Sequence, residues 1–168
     1  MADANSVASP LFLREAELRR GVELLYFAYR DFTKGPDKLL EQYGFGRAHH
    51  RALYFIARRP GLTVSDLLKL LSITKQSLSR VLNDLQAKGY VTSEVGREDK
   101  RQRLLSVTEA GAALEREVFE IQRERMIQAY GQAGQQAVTG FWAVLLGLID
   151  QDQQAALDQF IRENTSGR

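Results

Sequence analysis

The chain has 168 residues, 44% of them apolar, and a formal charge of only +2, which suits one globular chain with a real core and needs no division into several separate folds. It has no cysteine, which excludes both a disulfide framework and a thiol redox switch. The longest apolar run, Phe141–Ile149, is nine residues, too short to span a bilayer, and no apolar signal opens the chain, so a cytoplasmic location is expected.

Residues 1–10 are small and polar, end at Pro10 and are expected to form a flexible N-terminal arm. From Leu11 to about Thr33, Leu18, Val22, Leu25, Tyr26 and Tyr29 recur mostly at three- and four-residue steps, which predicts a helix that Gly35-Pro36 ends. The next segment, Gly44 to Tyr54, offers two motifs of little weight. Gly44-x-Gly46 lacks a third glycine and a preceding strand, so it is no phosphate loop. His49 and His50 are adjacent, hence about 100° apart on a helix, and no other histidine or cysteine completes a closed metal site. No metal and no cofactor is expected. One histidine should pack under the following helices or line a pocket while its neighbour faces solvent.

The stretch from Thr63 to Thr108 carries the strongest pattern. Thr63 and Asp66 form a capping-box pair, and Val64, Leu67, Leu68 and Leu71 share one helical face. After a short break at Ser72-Ile73-Thr74, a second helix keeps Leu78, Val81, Leu82 and Leu85 on one stripe and stops at Gly89. Two helices so closely joined must cross steeply and bury their leucines against a third element. The outer face of the second keeps Lys75, Gln76, Ser77, Ser79, Arg80 and Asn83, the cations, amides and hydroxyls that reach phosphates and base edges in a major groove. No acid dilutes this face before Asp84.

Tyr90 to Val95 then alternates like a strand with one buried face, and Leu104 to Val107 supplies a partner. The hairpin tip between them carries Arg97, Lys100, Arg101 and Arg103, cations suited to a phosphate backbone or a narrow minor groove. The charge is local. Residues 47–103 hold 12 Lys and Arg against 5 Asp and Glu, whereas the rest of the chain holds 11 against 16. A basic middle between acidic flanks is the electrostatic pattern of a surface that meets DNA.

Beyond the hairpin, Leu114, Val118, Ile121 and Arg125 mark a helix entered at about Glu109. A further helix is expected from about Gln135 to Glu163, with Val138, Phe141, Trp142, Leu145, Leu146, Ile149, Leu157 and Phe160. These large apolar groups exceed what the small middle lobe can use. The surplus predicts an interface in which the terminal helices of two subunits interlock. Catalysis has no support: the sequence holds no nucleophile elbow and no His-Glu-x-x-His, and no enzyme is expected.

The order of helix pair, Gly89-Tyr90-Val91, Asp99-x-Arg101 and Leu105-Ser-Val-Thr108-x-x-Gly111 resembles the MarR family of winged-helix transcriptional regulators. The resemblance is tightest over roughly 60 residues, and the flanking helices extend it. It implies a mainly α fold with a small β-hairpin wing: a winged helix-turn-helix with long N- and C-terminal dimerisation helices. The expected division is an arm at 1–10, an N-terminal dimerisation helix region at 11–46, the DNA-binding domain at 47–108 and C-terminal dimerisation helices at 109–168. Implied too are a homodimer, a recognition helix at Lys75–Lys88 and a wing at Gly96–Arg103 in which Asp99 organises the turn. Function is then expected to be sequence-specific binding of double-stranded DNA at a palindromic operator, with repression as the default outcome. A small aromatic or carboxylate effector is possible, with Tyr26, Arg30, His49 and Tyr54 as its candidate contacts. The alternatives are a winged-helix module that binds protein, disfavoured by the local charge, and a regulator of another winged-helix family, which would lack long helices after the wing.

Overall fold

The computed structural model describes residues 11, 13–97 and 99–165. The N-terminal arm expected at 1–10 lies outside the described residues, as does Glu98 in the wing. In chain order the elements are α1 (Glu15–Glu41), α2 (Arg47–Arg58), β1 (Leu62–Thr63), α3 (Val64–Leu71), α4 (Lys75–Ala87), β2 (Val91–Val95), β3 (Arg103–Val107), α5 (Glu109–Ala133), α6 (Gln135–Leu148) and α7 (Gln151–Thr165).

The middle lobe forms as its sequence directs. Thr63 caps α3 by accepting the Asp66 N–H at 3.0 Å. Its own hydroxyl donates to the Asp66 carboxylate at 2.8 Å, so the acid closes the box on the side chain of Thr63 and not on its N–H. Thr74 caps α4 in the same way through the Ser77 N–H. The two helices bury Leu67, Leu71, Leu78, Val81, Leu82 and Leu85 against Leu53 and Ile56 of α2 and Leu105 of β3. A short strand that the sequence did not announce, β1, joins the hairpin to make a three-stranded antiparallel sheet in the order β1-β3-β2, with Leu62 opposite Leu105 and Ser93 opposite Leu105 on the other side.

The wing is locked to the start of α5 at one point. The Thr108 N–H donates to the Tyr90 carbonyl at 3.0 Å, its hydroxyl donates to the Gly89 carbonyl at 2.7 Å, and the same hydroxyl caps α5 by accepting the Gly111 N–H at 3.0 Å. A Cβ at Gly111 would overlap the Tyr90 carbonyl oxygen. Only glycine lets the helix and strand backbones come this close.

Three expectations for the flanks need correcting. The first helix starts at Glu15, with Glu15 and Glu17 in its first turn where acids suit the helix dipole, and it does not end at Gly35-Pro36. It runs on to Glu41 with Pro36 buried inside it. Proline forfeits one hydrogen bond there, but this segment lies along α5, with Gly35 so close to Ile121 that a Cβ would sit 2.7 Å from its methyl, and the packing outweighs the missing bond. The last expected helix is two: Ile149 is extended at ψ 133, and the Gln154 side chain donates to the Leu146 and Ile149 carbonyls at 2.8 and 2.7 Å, closing α6. Finally, Phe160 does not belong to the apolar surplus expected at an interface. Its helix, α7, returns to α3, and Phe160 is buried with its ring 5.0 Å from that of Phe55. Most of the exposed large apolar groups belong to α6, which has no buried residue, and to the first half of α1.

Candidate nucleic-acid interface

α4 turns its leucine stripe inward and leaves Lys75, Gln76, Ser77, Ser79, Arg80 and Asn83 in solvent. The Ser77 hydroxyl accepts from Thr74 at 2.9 Å, which ties it to the cap; the other five project from the helix. The first turn of α4 holds Lys75 and no acid, whereas α3 and α5 place Asp66 and Glu109 there. The free N–H groups and positive dipole of a helix start attract anions, so a lysine at that end strengthens a site for phosphate. Asp84, the first acid on the face, turns to His49 at 3.1 Å.

β2 packs on α4 and carries the chain into the wing. The tip is built by the Gly96 N–H donating to the Gln102 carbonyl and the Gln102 N–H donating to the Asp99 carbonyl, both at 3.0 Å. The Asp99 carboxylate accepts from the Arg101 N–H at 2.9 Å and from its guanidinium at 3.2 Å; these bonds, the backbone one first, hold the carboxyl below its ordinary pKa. The Arg101 side chain is still 91% exposed. Arg97, Lys100 and Arg103 are exposed as well, Arg103 as the first residue of β3 opposite Val95. The helix face and the wing therefore present cations and amides from two elements fixed to each other through β2.

The four candidate effector contacts are not brought together within one chain. Tyr26 and Arg30 ride on the exposed half of α1, because that helix runs straight past Gly35; Arg30 donates to Asp31 at 2.8 Å and lies 4.7 Å from the Phe27 ring. His49 faces α4. Tyr54 alone lines a cavity of about 510 Å³ between α1, α2 and α5, together with Phe32, His50, Arg51, Phe119, Arg123, Met126 and Tyr130. Neither histidine faces open solvent: the 100° between them sends one to α4 and the other into this cavity. Burial holds the His50 imidazole below its ordinary pKa, Arg51 adds to the effect and Asp37 opposes it. The α5 lining was missed in the sequence, although Phe119, Arg123, Met126 and Tyr130 recur at helical spacing.

Among the described residues no group of acids and histidines could hold a metal ion, and no helix is long and apolar enough to cross a membrane.

The MarR family profile matches residues 43–102, which span the α1–α2 corner, the helix pair and most of the wing. The chain is 56% identical over 140 residues to the HTH-type transcriptional regulator PetP of Rhodobacter capsulatus, covering 83% of this chain and 84% of that one. Its fold is similar to FabT of Streptococcus pneumoniae in complex with DNA, with a TM-score of 0.68, 18% identity and coverage of 87% and 98% of the two chains. It is also similar to NadR in complex with 4-hydroxyphenylacetate, with a TM-score of 0.64, 23% identity and coverage of 74% and 88%.

Proposed function

Since this chain belongs to the MarR family of winged helix-turn-helix transcriptional regulators, we propose that it acts as a homodimeric repressor that reads a palindromic operator with α4 and grips the flanking backbone with its wing. The observation that carries this reading is the outer face of α4: cations and amides stand in solvent beside a basic hairpin, and the first acid, Asp84, is paired with His49. Gln76, Ser79, Arg80 and Asn83 supply base discrimination, with Ser77 nearest the cap; Lys75, Arg97, Lys100, Arg101 and Arg103 supply phosphate affinity. Asp99 organises the wing by holding Arg101. Two copies related by a two-fold axis place their α4 helices about 34–36 Å apart, one turn of DNA.

The exposed apolar residues of α1 and α6 support the second copy. Leu18, Val22, Leu25, Phe141, Trp142 and Val144 are all exposed in the single chain, a demand for cover that proteins meet by association.

Arg80→Ala and Lys100→Ala, made separately, test the division of labour against a duplex selected from a random pool and a random duplex of equal length. Arg80→Ala should weaken the selected duplex by roughly 1–3 kcal/mol and the random one hardly at all. Lys100→Ala should weaken both alike and reduce the log–log salt slope by about 0.9. Equal loss on both duplexes for Arg80→Ala contradicts readout by α4, and failure to retain any duplex would favour a protein partner instead.

The cavity supports regulation by a small molecule. Aromatic walls with Arg51 and Arg123 at hand suit an aromatic carboxylate, and 4-hydroxyphenylacetate, the ligand in the NadR complex, is a suitable first probe. It should raise the thermal midpoint and release the selected duplex, because only a ligand with unequal affinity for two states shifts their balance. Arg51→Ala should abolish both effects; a shift that persists in this variant would place the ligand elsewhere.

A further inference from the structure

The last turn of α4 is held by the corner where α1 becomes α2. α1 ends with the Phe45 N–H donating to the Leu40 carbonyl and the Gly44 N–H donating to the Glu41 carbonyl, both at 3.0 Å, with Gly44 left-handed at φ 68, the Schellman arrangement. This turn presents the Tyr43 carbonyl to Lys88, whose ammonium donates to it at 2.7 Å and lies 4.6 Å from the Phe45 ring centre. A Cβ at Gly44 would sit 2.8 Å from that ammonium, so the glycine serves both the turn and the contact. One helical turn earlier, Asp84 meets His49 at 3.1 Å. The His49 Nδ1 accepts from the Gly46 N–H at 3.2 Å, which leaves Nε2 as the nitrogen that donates to Asp84, and the imidazole stacks on Phe45 at 5.0 Å.

Two contacts thus reach from one corner to positions 84 and 88, four apart along the edge of the buried stripe of α4. The same corner ends a helix of 27 residues, about 40 Å of rigid rod, whose far half carries the exposed apolar surface and whose near half supplies Phe32 to the cavity. We propose that Lys88 and His49 are positioning residues: they transmit the placement of α1 to the C-terminal turn of α4 and so set the tilt at which its outer face meets DNA. Lys88 is therefore no phosphate contact, although it is a cation on the reading helix. The corner is a contiguous physical link between the helix that meets a second copy and the helix that reads bases.

The inference rests on α4 being the helix that reads DNA, and Arg80→Ala tests that separately. The probes are a duplex selected from a random pool by the unmodified full chain and a random duplex of equal length. Lys88→Met should lower affinity for the selected duplex about tenfold, a size typical of residues that act through a coupled element, while random-duplex affinity and the salt slope stay unchanged. Lys88→Arg keeps the donor and the ring contact and should restore most of the loss. His49→Phe keeps the stack on Phe45 but removes both hydrogen bonds; it should reproduce the selective loss, and it decides the matter should Lys88→Met fold poorly. Equal loss on both duplexes with a slope lower by about 0.9 would make Lys88 a phosphate contact and overturn the proposal. Unchanged selected-duplex affinity in Lys88→Met and His49→Phe would overturn it as well. If Arg80→Ala leaves the ratio of the two affinities unchanged, reading by α4 has failed; if it collapses the ratio and the corner variants do not, only the coupling has failed.

Discussion

The middle of this molecule and its two ends treat apolar residues in opposite ways. Among the described residues, 16 of the 17 buried core residues lie between Leu40 and Val118, closed into one cluster by three helices, a small sheet and the start of α5. At the ends, α6 buries none of its residues, and Trp142 and Leu25 remain 52% and 46% exposed. The lobe buries its apolar groups within the single chain; the end helices leave most of theirs in solvent. A charged substitution should therefore act through folding in the lobe and through assembly at the ends.

The strongest way to break this contrast is Leu25→Asp combined with Leu146→Asp. Both side chains are exposed in the single chain, so the fold should survive, while dimers should dissociate in sedimentation and affinity for a selected duplex should fall about a hundredfold or more as the second half-site is lost. A variant that stays dimeric would move the interface off these faces. In the lobe, Gly111→Ala should cost about 3 kcal/mol, the upper end for forced overpacking, because its new methyl would overlap the Tyr90 carbonyl; urea unfolding checks it. Thr108→Ala should cost about 1–2 kcal/mol through the lost cap of α5 and leave assembly intact.

The smallest effect sharpens the border between the two regions, at the cavity. The folded His50 pKa is depressed by burial, so as pH falls through about 6.5 the unfolded chain takes up the proton first. Its contribution is full above that value and is lost as pH drops toward the folded pKa. His50→Leu should flatten this part of the dependence of the urea midpoint between about pH 7.5 and about pH 5.5. An unaltered slope would mean that the imidazole takes up its proton alike in the folded and the unfolded chain.

The parts legible in the sequence were those governed by local rules. Thr63, Thr74 and Gly89 mark helix ends through their own bonds, and the leucine spacing of α3 and α4 needs no distant partner. The motif from Gly89 to Gly111 was visible as letters, but its reason, a strand carbonyl pressed against a helix start, exists only in three dimensions. Pro36 misled because packing along α5 overrode a local breaker. The break at Ile149 went unseen because the apolar pattern continues across it and the side chain that closes α6 comes later, from Gln154. Tyr26, Arg30, His49 and Tyr54 could not be sorted by residue type: which of them share a cavity depends on where a long helix ends and which way each of two neighbouring histidines points.

The central claim, that a self-sufficient DNA-reading lobe is made into an operator reader by end helices that require a second copy, is tested most directly by the mass of the protein bound to a selected duplex. Two 19.0 kDa chains per duplex, bound in one cooperative step on a two-fold symmetric sequence, is the predicted result. One chain per duplex, with undiminished affinity for an isolated half-site, would contradict it.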